Sequence, residues 1–272
     1  MIEKNINSLS FWFFENLQEY GSLTHFVSSR NGGFSAPPHD SLNLGFHVED
    51  NPERVLRNRE LLASTLDIPL KNFTFCQQVH DGRVKIVTEG LKGKGAITHE
   101  TALGETDSLV TNVPGICLVV LVADCLPLLF YDTKKNIIGA AHAGWRGTVR
   151  CVAQNTVRVL RERFGSVPQD ILVGMGPCIG PCCYEVGEDV IGVVNELSVG
   201  KECFISKRTP DGRGYLDLWK CNENQLLQMG IPEENIESSG ICTHCNHSTF
   251  FSHRHEKGGT GRFGAGIMIN GS

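Results

Sequence analysis

Two histidines and one cysteine lie where short apolar runs give way to polar turns. His80 ends FTFCQQVH, Cys125 ends GICLVVLVADC, and His142 lies near the end of NIIGAAHAG. Because such runs predict strands, we expect the three side chains at the rim of a sheet, where ligand sites are commonly built. One thiolate and two neutral imidazoles are Zn²⁺ ligands, and three ligands leave the fourth tetrahedral position open. The three residues are therefore candidate ligands of a catalytic metal.

Two other interpretations of these residues stay open. Cysteine is among the most buried residue types, so both Cys125 and His142 could be ordinary core residues. Alternatively, Cys125 is a nucleophile, His142 is its base, and Asp124 or Asp107 orients the imidazole. Adjacent strand residues point to opposite faces, so Asp124 can face His142 only if the strand has already ended.

Two further segments are rich in cysteine and glycine and predict loops. In residues 174–190 (GMGPCIGPCCYEVGEDV), we interpret the three cysteines as small side chains lining a pocket rather than as metal ligands. Residues 242–262 (CTHCNHSTFFSHRHEKGGTGR) contain a CxxC pair, but the second pair that a zinc ribbon needs does not follow downstream. We therefore predict that Cys242 and Cys245 serve packing. The glycines beside Arg262 predict a turn that could hold an anion.

The elements that must position these residues are short and mixed. Apolar β-type runs predict strands within residues 73–80, 83–87, 107–111, 115–132, 136–144, 170–177 and 261–270. Helical periodicity predicts helices over residues 52–68, from Gly147 onward, and over residues 188–197 and 216–230. Strands and helices do not alternate strictly, which favours mixed sheets layered with helices over a doubly wound sheet.

Composition limits the class of protein. The chain has 272 residues, 40% of them hydrophobic and 20% charged, with no linker or repeat, so we predict a single domain over residues 1–272. A net charge of −5 and a pI near 6.1 do not support nucleic acid or an acidic membrane as a partner. The longest apolar run, Gly115 to Tyr131, is interrupted by Asp124 and Pro127 and predicts a buried strand rather than a membrane span.

Cysteine usage predicts a redox compartment. The chain has eleven cysteines and no recognisable export signal at its start. An odd number of cysteines without such a signal favours reduced thiols over a disulfide framework. We therefore predict a cytoplasmic location.

Several motifs, taken together, resemble one known family. ADCLPLL, AAHAGWRG, GPCIGPCCYEVG and FFSHRHEKGGTGR occur in the order found in the bacterial laccase-domain family. Its members were once named multicopper polyphenol oxidases and are now described as zinc-dependent purine nucleoside phosphorylases. SSRNGGFS, SLNLG, NPERVLRNRELL and CQQVH also fit, so the resemblance covers essentially the whole chain.

The resemblance implies a fold, a cofactor and an activity. The implied fold is α/β of the α+β type, a single-domain layered sandwich with central mixed β-sheets and outer helices. The implied metal ligands are His80, Cys125 and His142, with Zn²⁺ favoured over copper. The implied substrates are purine nucleosides and inorganic phosphate: adenosine, inosine and guanosine yield free base and ribose 1-phosphate. Adenosine deamination and cleavage of 5′-methylthioadenosine are implied as well.

The resemblance also suggests roles for individual residues. Asp124, Cys125 and His142 are the candidate catalytic residues, with Asp124 passing protons to the leaving amine. The candidate substrate-binding residues are Arg30, Asn43, Gln78, Arg146, Cys178, Tyr184 and Arg262. The three arginines would contact an anion, although Arg146 with Trp145 fits a helix-start anchor equally well. Where the family usually has Tyr-Arg-Arg after FFS, this chain has His253, Arg254 and His255, which leaves the roles of both histidines open.

Three other functions remain as alternatives. Copper-dependent phenol oxidation needs a further His-rich copper cluster, and this chain has no regular His-x-His pairs beyond His253 and His255. A cysteine-type hydrolase that edits peptidoglycan precursors is the second alternative. A metal-stabilised binding protein is the third. Whether the chain is a monomer or a homodimer is left open.

Overall fold

Two six-stranded sheets, a small third sheet and a set of helices make up the fold. The computed structural model describes residues 1–199, 203–205 and 212–271. In chain order, the strands are β1 (Ile2–Ile6), β2 (Leu9–Phe13), β3 (Leu23–Ser28), β4 (Phe73–Thr74), β5 (Val84–Ile86), β6 (Ser108–Thr111), β7 (Cys117–Val122), β8 (Leu126–Asp132), β9 (Ile137–Ala143), β10 (Ile171–Met175), β11 (Glu185–Val186), β12 (Phe204–Ile205), β13 (Gly214–Leu216), β14 (Ile236–Ser238) and β15 (Phe263–Ile269). The helices are α1 (Glu15–Gln18), α2 (Pro52–Thr65), α3 (Trp145–Val149), α4 (Val152–Phe164), α5 (Glu188–Asn195) and α6 (Leu218–Gln228).

Both large sheets combine parallel and antiparallel strands. The first sheet has the order β1, β2, β3, β15, β7, β4, and the second has the order β14, β10, β8, β9, β6, β5. The third sheet has the order β11, β13, β12. Strands β4 and β7, β5 and β6, and β10 and β14 pair in parallel, whereas the other neighbours pair antiparallel. The prediction of mixed sheets is confirmed.

The two faces of β7 show how the layers stack. Leu118 and Val120 lie in the core between the two large sheets, together with Leu129 of β8. Val119 points to the opposite face of the sheet, where it belongs to the same core as Leu62 of α2. The outer face of the second sheet packs against α4, α5 and α6. The predicted layered sandwich, with central mixed sheets and outer helices, is therefore confirmed.

The long apolar run over residues 115–132 forms two strands instead of the one that the sequence predicts. β7 ends at Val122 in the first sheet, and β8 begins at Leu126 in the second sheet. Asp124 lies in the crossing with φ of +83°, a left-handed conformation that Asp adopts more readily than most residues. The run is mostly apolar because both strands are buried along their whole length. Within the described residues, no helix has the length and apolar character needed to cross a bilayer.

Most helices lie close to their predicted positions, but α1 was not predicted and the helix predicted from Gly147 onward is two helices, α3 and α4. The sequence predicts that a helix opens at Gly147, whereas α3 already begins at Trp145. Cys151, with φ of +57°, separates α3 from α4. Gly165 then ends α4 with φ of +71°, a conformation that glycine adopts without steric cost.

One pair of cysteines departs from the prediction of reduced thiols. Cys203 and Cys221 form a disulfide, with their Cα atoms 4.7 Å apart. The other nine cysteines are free thiols. The prediction is therefore wrong for this pair, because the fold brings α6 against the short strand β12 in a way that the spacing of the two cysteines does not reveal.

A buried histidine in the first sheet predicts a dependence of stability on pH. His25 in β3 is 3% exposed, and its Nε2 accepts the N–H of Phe14 at 2.9 Å. Burial, with a smaller effect of the positive charge on Lys4, lowers the pKa of His25 from 6.5 to about 4. Since the pKa of His25 is lower in the folded state than in the unfolded state, neutral His25 contributes fully to the free energy of unfolding above pH 6.5. This contribution is lost as the pH falls toward 4.

We therefore expect the free energy of unfolding to contain a contribution from His25 that is about 2 kcal/mol smaller at pH 5 than at pH 7. Urea unfolding of the wild type and of His25→Gln at both pH values measures this contribution as the difference between the two proteins. The variant should lose less stability on acidification. An equal loss in both proteins would contradict the prediction.

Candidate metal centre and its cavity

The fold brings His80, Cys125 and His142 together. One potential ligand atom from each residue lies within 4.8 Å of the other two. Cys125 Sγ lies 3.9 Å from His80 Nε2, and the two imidazole rings meet edge to face with centroids 4.8 Å apart. The set is built from one sulfur and two ring nitrogens, a combination that binds zinc in enzymes.

Three elements position these side chains. His142 lies in β9 opposite Pro127 of β8, and Cys125 lies in the crossing from the first sheet to the second. His80 is carried by a loop, because β4 ends at Thr74 and only the start of the predicted 73–80 strand is extended. His80 has φ of +59°, so the chain turns sharply at this residue. The predicted meeting of the three residues is therefore observed, although one of them is on a loop rather than at a strand end.

The carboxylate of Asp107 contacts both the His142 ring and the backbone of the loop that carries His80. Asp107 is fully buried, and its Oδ1 lies 2.8 Å from His142 Nδ1. The same carboxylate accepts the backbone N–H groups of Val79 at 3.1 Å, His80 at 2.9 Å and Asp81 at 2.7 Å. An ionised carboxylate can only accept, so His142 carries its proton on Nδ1 and leaves Nε2 available as a ligand.

The charges of the centre favour a thiolate. Burial opposes ionisation of Cys125, but the imidazoles of His142 and His80 outweigh it and lower the thiol pKa to about 6. Burial likewise opposes protonation of His142, but Cys125 and Asp107 raise its pKa to about 9. The sulfur of Cys125 would therefore bind a metal at neutral pH without first losing a proton, whereas His142 would have to give up a proton to bind one.

Gly144 makes room for the centre. A Cβ atom at this position would lie 2.8 Å from Cys125 Sγ and 3.2 Å from the Cδ2 atom of His80. Any side chain here would displace one of the two ligands. The glycine of the HAGW motif is therefore required by the close approach of the chain to the sulfur.

A cavity of about 320 Å³ opens over the three side chains. Its volume lies at the lower end of the range for small-molecule sites. Apolar and polar side chains both contribute to its walls, as is usual for small-molecule sites. The lining residues are His47, Gln78, His80, Leu121, Ala123, Asp124, Cys125, His142, Ile179, Tyr184, Leu218, His253, Arg254 and Arg262.

Asp124 lines the cavity but does not orient His142. Its carboxylate accepts the Thr243 hydroxyl at 2.6 Å and the Arg254 backbone N–H at 2.7 Å. The acid that orients His142 is Asp107, which decides between the two acids that the sequence left open. The reason is the left-handed turn at Asp124, which directs its side chain toward residues 243–254.

Three of the predicted substrate-binding residues line the cavity. They are Gln78, Tyr184 and Arg262. The Gln78 amide pairs with both backbone groups of Leu121, at 2.8 Å each, which fixes its orientation. Arg262 is largely buried, and its guanidinium donates to the carbonyl groups of Thr260 and its neighbour Gly261 at 2.9 Å.

The other four lie outside the cavity lining. Arg30 forms an ion pair with Glu256 at 2.6 Å. Asn43 is fully buried, and its Oδ1 accepts the backbone N–H of Arg262 at 2.9 Å, so it supports a lining residue instead of forming part of the wall. The remaining two are Arg146, exposed beside the Trp145 ring, and Cys178, fully buried.

Two polar residues of the cavity wall, His47 and Arg254, were not predicted from the sequence as site residues. The His47 side chain is exposed, yet the protein around it and the charge of Arg262 lower its pKa below the ordinary value, so this imidazole is neutral at physiological pH. His47 directly follows the SLNLGF stretch, and this proximity to a matched motif was the available signal. The two histidines left open by the sequence separate here, because His253 lines the cavity whereas His255 stacks on His247 with ring centroids 3.6 Å apart.

Comparisons with known proteins cover most of the chain. Residues 24–270 match the family model described as multi-copper polyphenol oxidoreductase laccase. The chain is 40% identical over 235 residues to the purine nucleoside phosphorylase YlmD of Bacillus subtilis. The aligned region covers 86% of this chain and 84% of the relative. The chain is 32% identical over 253 residues to the adenosine deaminase RL5 of an unknown prokaryotic organism, which covers 93% and 94% of the two chains.

A solved structure has the same fold. The crystal structure of YlmD from Geobacillus stearothermophilus has a TM-score of 0.92 to this chain, with 34% sequence identity and 98% of both chains covered. The similarity therefore concerns the whole fold and not single motifs. The chain belongs to the family described as multi-copper polyphenol oxidoreductase laccase.

Proposed function

We propose that this chain is a zinc-dependent purine nucleoside phosphorylase. It would cleave adenosine, inosine and guanosine with phosphate into free base and ribose 1-phosphate, with adenosine deamination and cleavage of 5′-methylthioadenosine as further activities. The observation that carries the proposal is the His80, Cys125 and His142 set on the wall of a cavity of about 320 Å³. The names of the relatives, purine nucleoside phosphorylase and adenosine deaminase, support it.

The donor set fits one zinc ion. His80 and His142 would supply ring nitrogens and Cys125 a thiolate, while Asp107 keeps His142 in the tautomer that binding requires. Three protein ligands leave one coordination position, and the cavity lies next to it. When bound, zinc supplies Lewis acidity and lowers the pKa of water at this position.

The lining side chains have roles in phosphorolysis under this proposal. The glycosidic bond between the purine nitrogen and C1′ breaks, a phosphate oxygen bonds to C1′, and the base leaves with a proton on nitrogen. Positive charge develops at C1′, so a closely held phosphate stabilises the transition state. Arg254 and Arg262 would hold the phosphate, and the Tyr184 ring with Leu121 and Ile179 would receive the purine.

Deamination would use the same cavity. Water attacks the purine C6, and a proton passes to the departing amine, which leaves as ammonia. Asp124 is the acid that lines the cavity, and we propose that it carries this proton. Its two hydrogen bonds, from Thr243 and Arg254, hold the carboxylate in place for that role.

Two observations disfavour the alternatives. In the part of the chain that the structure describes, the groups able to hold a metal are His80–Cys125–His142 and a set of four cysteines, and neither is the His-rich cluster of a multicopper oxidase. His142 and Asp107 would also serve a cysteine hydrolase, but that enzyme has no use for His80 as a third ligand. A single domain over residues 1–272 and a cytoplasmic location stay predictions.

Replacement of a metal ligand should abolish activity. We expect Cys125→Ala and His142→Ala each to lose zinc and to lower kcat/KM for phosphate-dependent base release by about 100-fold or more, because the open metal position is lost. Metal analysis of protein purified without added metal, with a nucleoside assay in the presence and absence of phosphate, measures both effects. Cys151→Ala, a half-buried thiol outside the cavity, is the matched control.

Two results would contradict the proposal. If Cys125→Ala keeps its zinc, the ligand assignment is wrong whatever the substrate. If the wild type releases no base from any nucleoside while copper-loaded protein oxidises phenols, the proposed activity is wrong.

Removal of the charge on Asp107 should weaken the metal site while retaining its shape. In Asp107→Asn, one acceptor becomes an NH₂ group that faces N–H donors, so we expect zinc affinity to fall about 10–100-fold. Competition with a chromophoric chelator measures the affinity, and circular dichroism confirms folding. Asp81→Asn, which removes a carboxylate that pairs with exposed Arg150, should leave the affinity within about twofold. Equal effects of the two substitutions would show that Asp107 does not position the ligands.

The anion contact should depend on an arginine of the wall. We expect Arg262→Gln to raise KM for phosphate about 10-fold or more, because a hydrogen bond to a charged group is lost. Arg146→Gln, an exposed arginine outside the lining, should change KM for phosphate little. Steady-state kinetics with phosphate varied at saturating nucleoside distinguishes the two. A larger effect of Arg146→Gln would place the anion at the start of α3 instead.

A further inference from the structure

Two loops meet beside the cavity and are joined through their backbones. One loop follows β10, and the other follows β14. Cys178 and Cys242 form an isolated parallel bridge between them, and the Thr243 N–H donates to the Cys178 carbonyl at 2.9 Å. This junction places the CxxC pair of the second loop against the Cys-Cys pair of the first.

Four thiols gather at the junction. The Sγ atoms of Cys182, Cys183, Cys242 and Cys245 all lie within 4.8 Å of one another. Cys245 Sγ lies 3.4 Å from Cys183 Sγ and 3.7 Å from Cys182 Sγ. Four sulfurs arranged tetrahedrally around Zn²⁺, with Zn–S bonds of ~2.3 Å, are separated by ~3.8 Å. The sulfurs are therefore near the spacing of a four-thiolate zinc site before any ion is bound.

We propose that Cys182, Cys183, Cys242 and Cys245 bind a second zinc ion, distinct from the one at His80, Cys125 and His142. Four thiolates fill the tetrahedral coordination shell, so this ion has no open position and serves structure rather than catalysis. The proposal goes beyond the nucleoside activity and does not rest on it. Under this proposal, Cys242 and Cys245 are ligands rather than packing residues, and Cys182 and Cys183 are ligands rather than pocket lining. The second pair of thiols lies upstream of the CxxC instead of downstream.

The local backbone supports four ligands around one centre. Residues 181–183 form a turn, so the adjacent Cys182 and Cys183 need not point in opposite directions as they would on a strand. The Gly180 N–H donates to Cys242 Sγ at 3.2 Å, a contact that stabilises a sulfur carrying negative charge. A Cβ atom at Gly180 would lie 3.1 Å from the Cys242 Cβ atom, which leaves little space for a side chain there.

The cluster is connected to the cavity wall on both loops. Tyr184, which lines the cavity, directly follows Cys183 in the chain. Thr243, which lies between the two cysteines of the CxxC, donates its hydroxyl to Asp124 at 2.6 Å. A metal ion that joins the two loops would therefore hold Tyr184 and Asp124 in position.

A disulfide is the competing state of these cysteines. Cys183 and Cys245, whose sulfurs lie 3.4 Å apart, are one pair that could form it. One disulfide would leave the other two thiols of the cluster unpaired, whereas a zinc ion uses all four. The convergence of four sulfurs therefore favours the metal.

Metal content of a variant without the catalytic site tests the proposal. The full chain carrying Cys125→Ser and His142→Ala, purified under reducing conditions without added metal, should retain about one zinc per chain. Further replacement by Cys182→Ser and Cys245→Ser should remove that zinc, whereas Cys151→Ser in the same background should not. Loss of nucleoside activity in the starting variant has no bearing on this result, so failure of the proposed function and failure of this site are distinguishable.

The wild type provides a measurement that does not depend on how the variants fold. After removal of metal under reducing conditions, titration with Co²⁺ should produce the intense sulfur-to-cobalt charge-transfer and visible bands of a four-thiolate centre. Absence of these bands would overturn the proposal. So would retention of zinc after Cys182→Ser and Cys245→Ser in the variant that carries Cys125→Ser and His142→Ala, or a disulfide joining Cys245 to Cys182 or Cys183 in peptide mapping of freshly purified, unreduced protein.

Discussion

The buried carboxylate of Asp107 is the interaction on which the centre depends. A carboxylate without partners would be costly to bury, but this one accepts three backbone N–H groups and the imidazole of His142. Burial alone would raise its pKa, yet His142 and these hydrogen bonds keep the pKa below its ordinary value. The same group thereby fixes the His80 loop and the tautomer of His142. One side chain therefore orients the His142 ring and holds the loop that carries His80.

The third donor depends on the way the chain passes between the sheets. Strands β7 and β8 belong to different layers, and Cys125 lies in the short crossing between them. His142 is on β9, the neighbour of β8, so sulfur and imidazole are brought together by one antiparallel pairing. Gly144 completes this arrangement, because only a residue without a side chain lets the chain pass so near to the sulfur. The site lies where the two sheets meet, and the cavity forms above that junction.

Loops build the rest of the cavity, and each is held by contacts that are distant in sequence. Asn43 accepts the N–H of Arg262, and Asp124 accepts the Thr243 hydroxyl and the Arg254 N–H. Asn43 and Asp124 therefore position loop residues that periodicity cannot place. A zinc ion bound by the four-cysteine cluster would link two of these loops. A rigid wall of this kind is what phosphorolysis requires, because its rate depends on how closely phosphate is held to C1′.

The sequence by itself determined the donor types, the mixed sheets with outer helices and the family, because these follow from local pattern and motif order. It did not predict β1, β2 and β3, and it left the choice between Asp107 and Asp124 open. Only the tertiary structure showed that Asp107 orients His142 and that Arg30 and Arg146 lie outside the cavity wall. Only the tertiary structure showed that four cysteines from two loops meet. The physical reason is that these outcomes depend on a left-handed turn, on crossings between layers and on loop-to-loop contacts. Such features join residues far apart in the chain, so no repeating pattern of apolar residues predicts them.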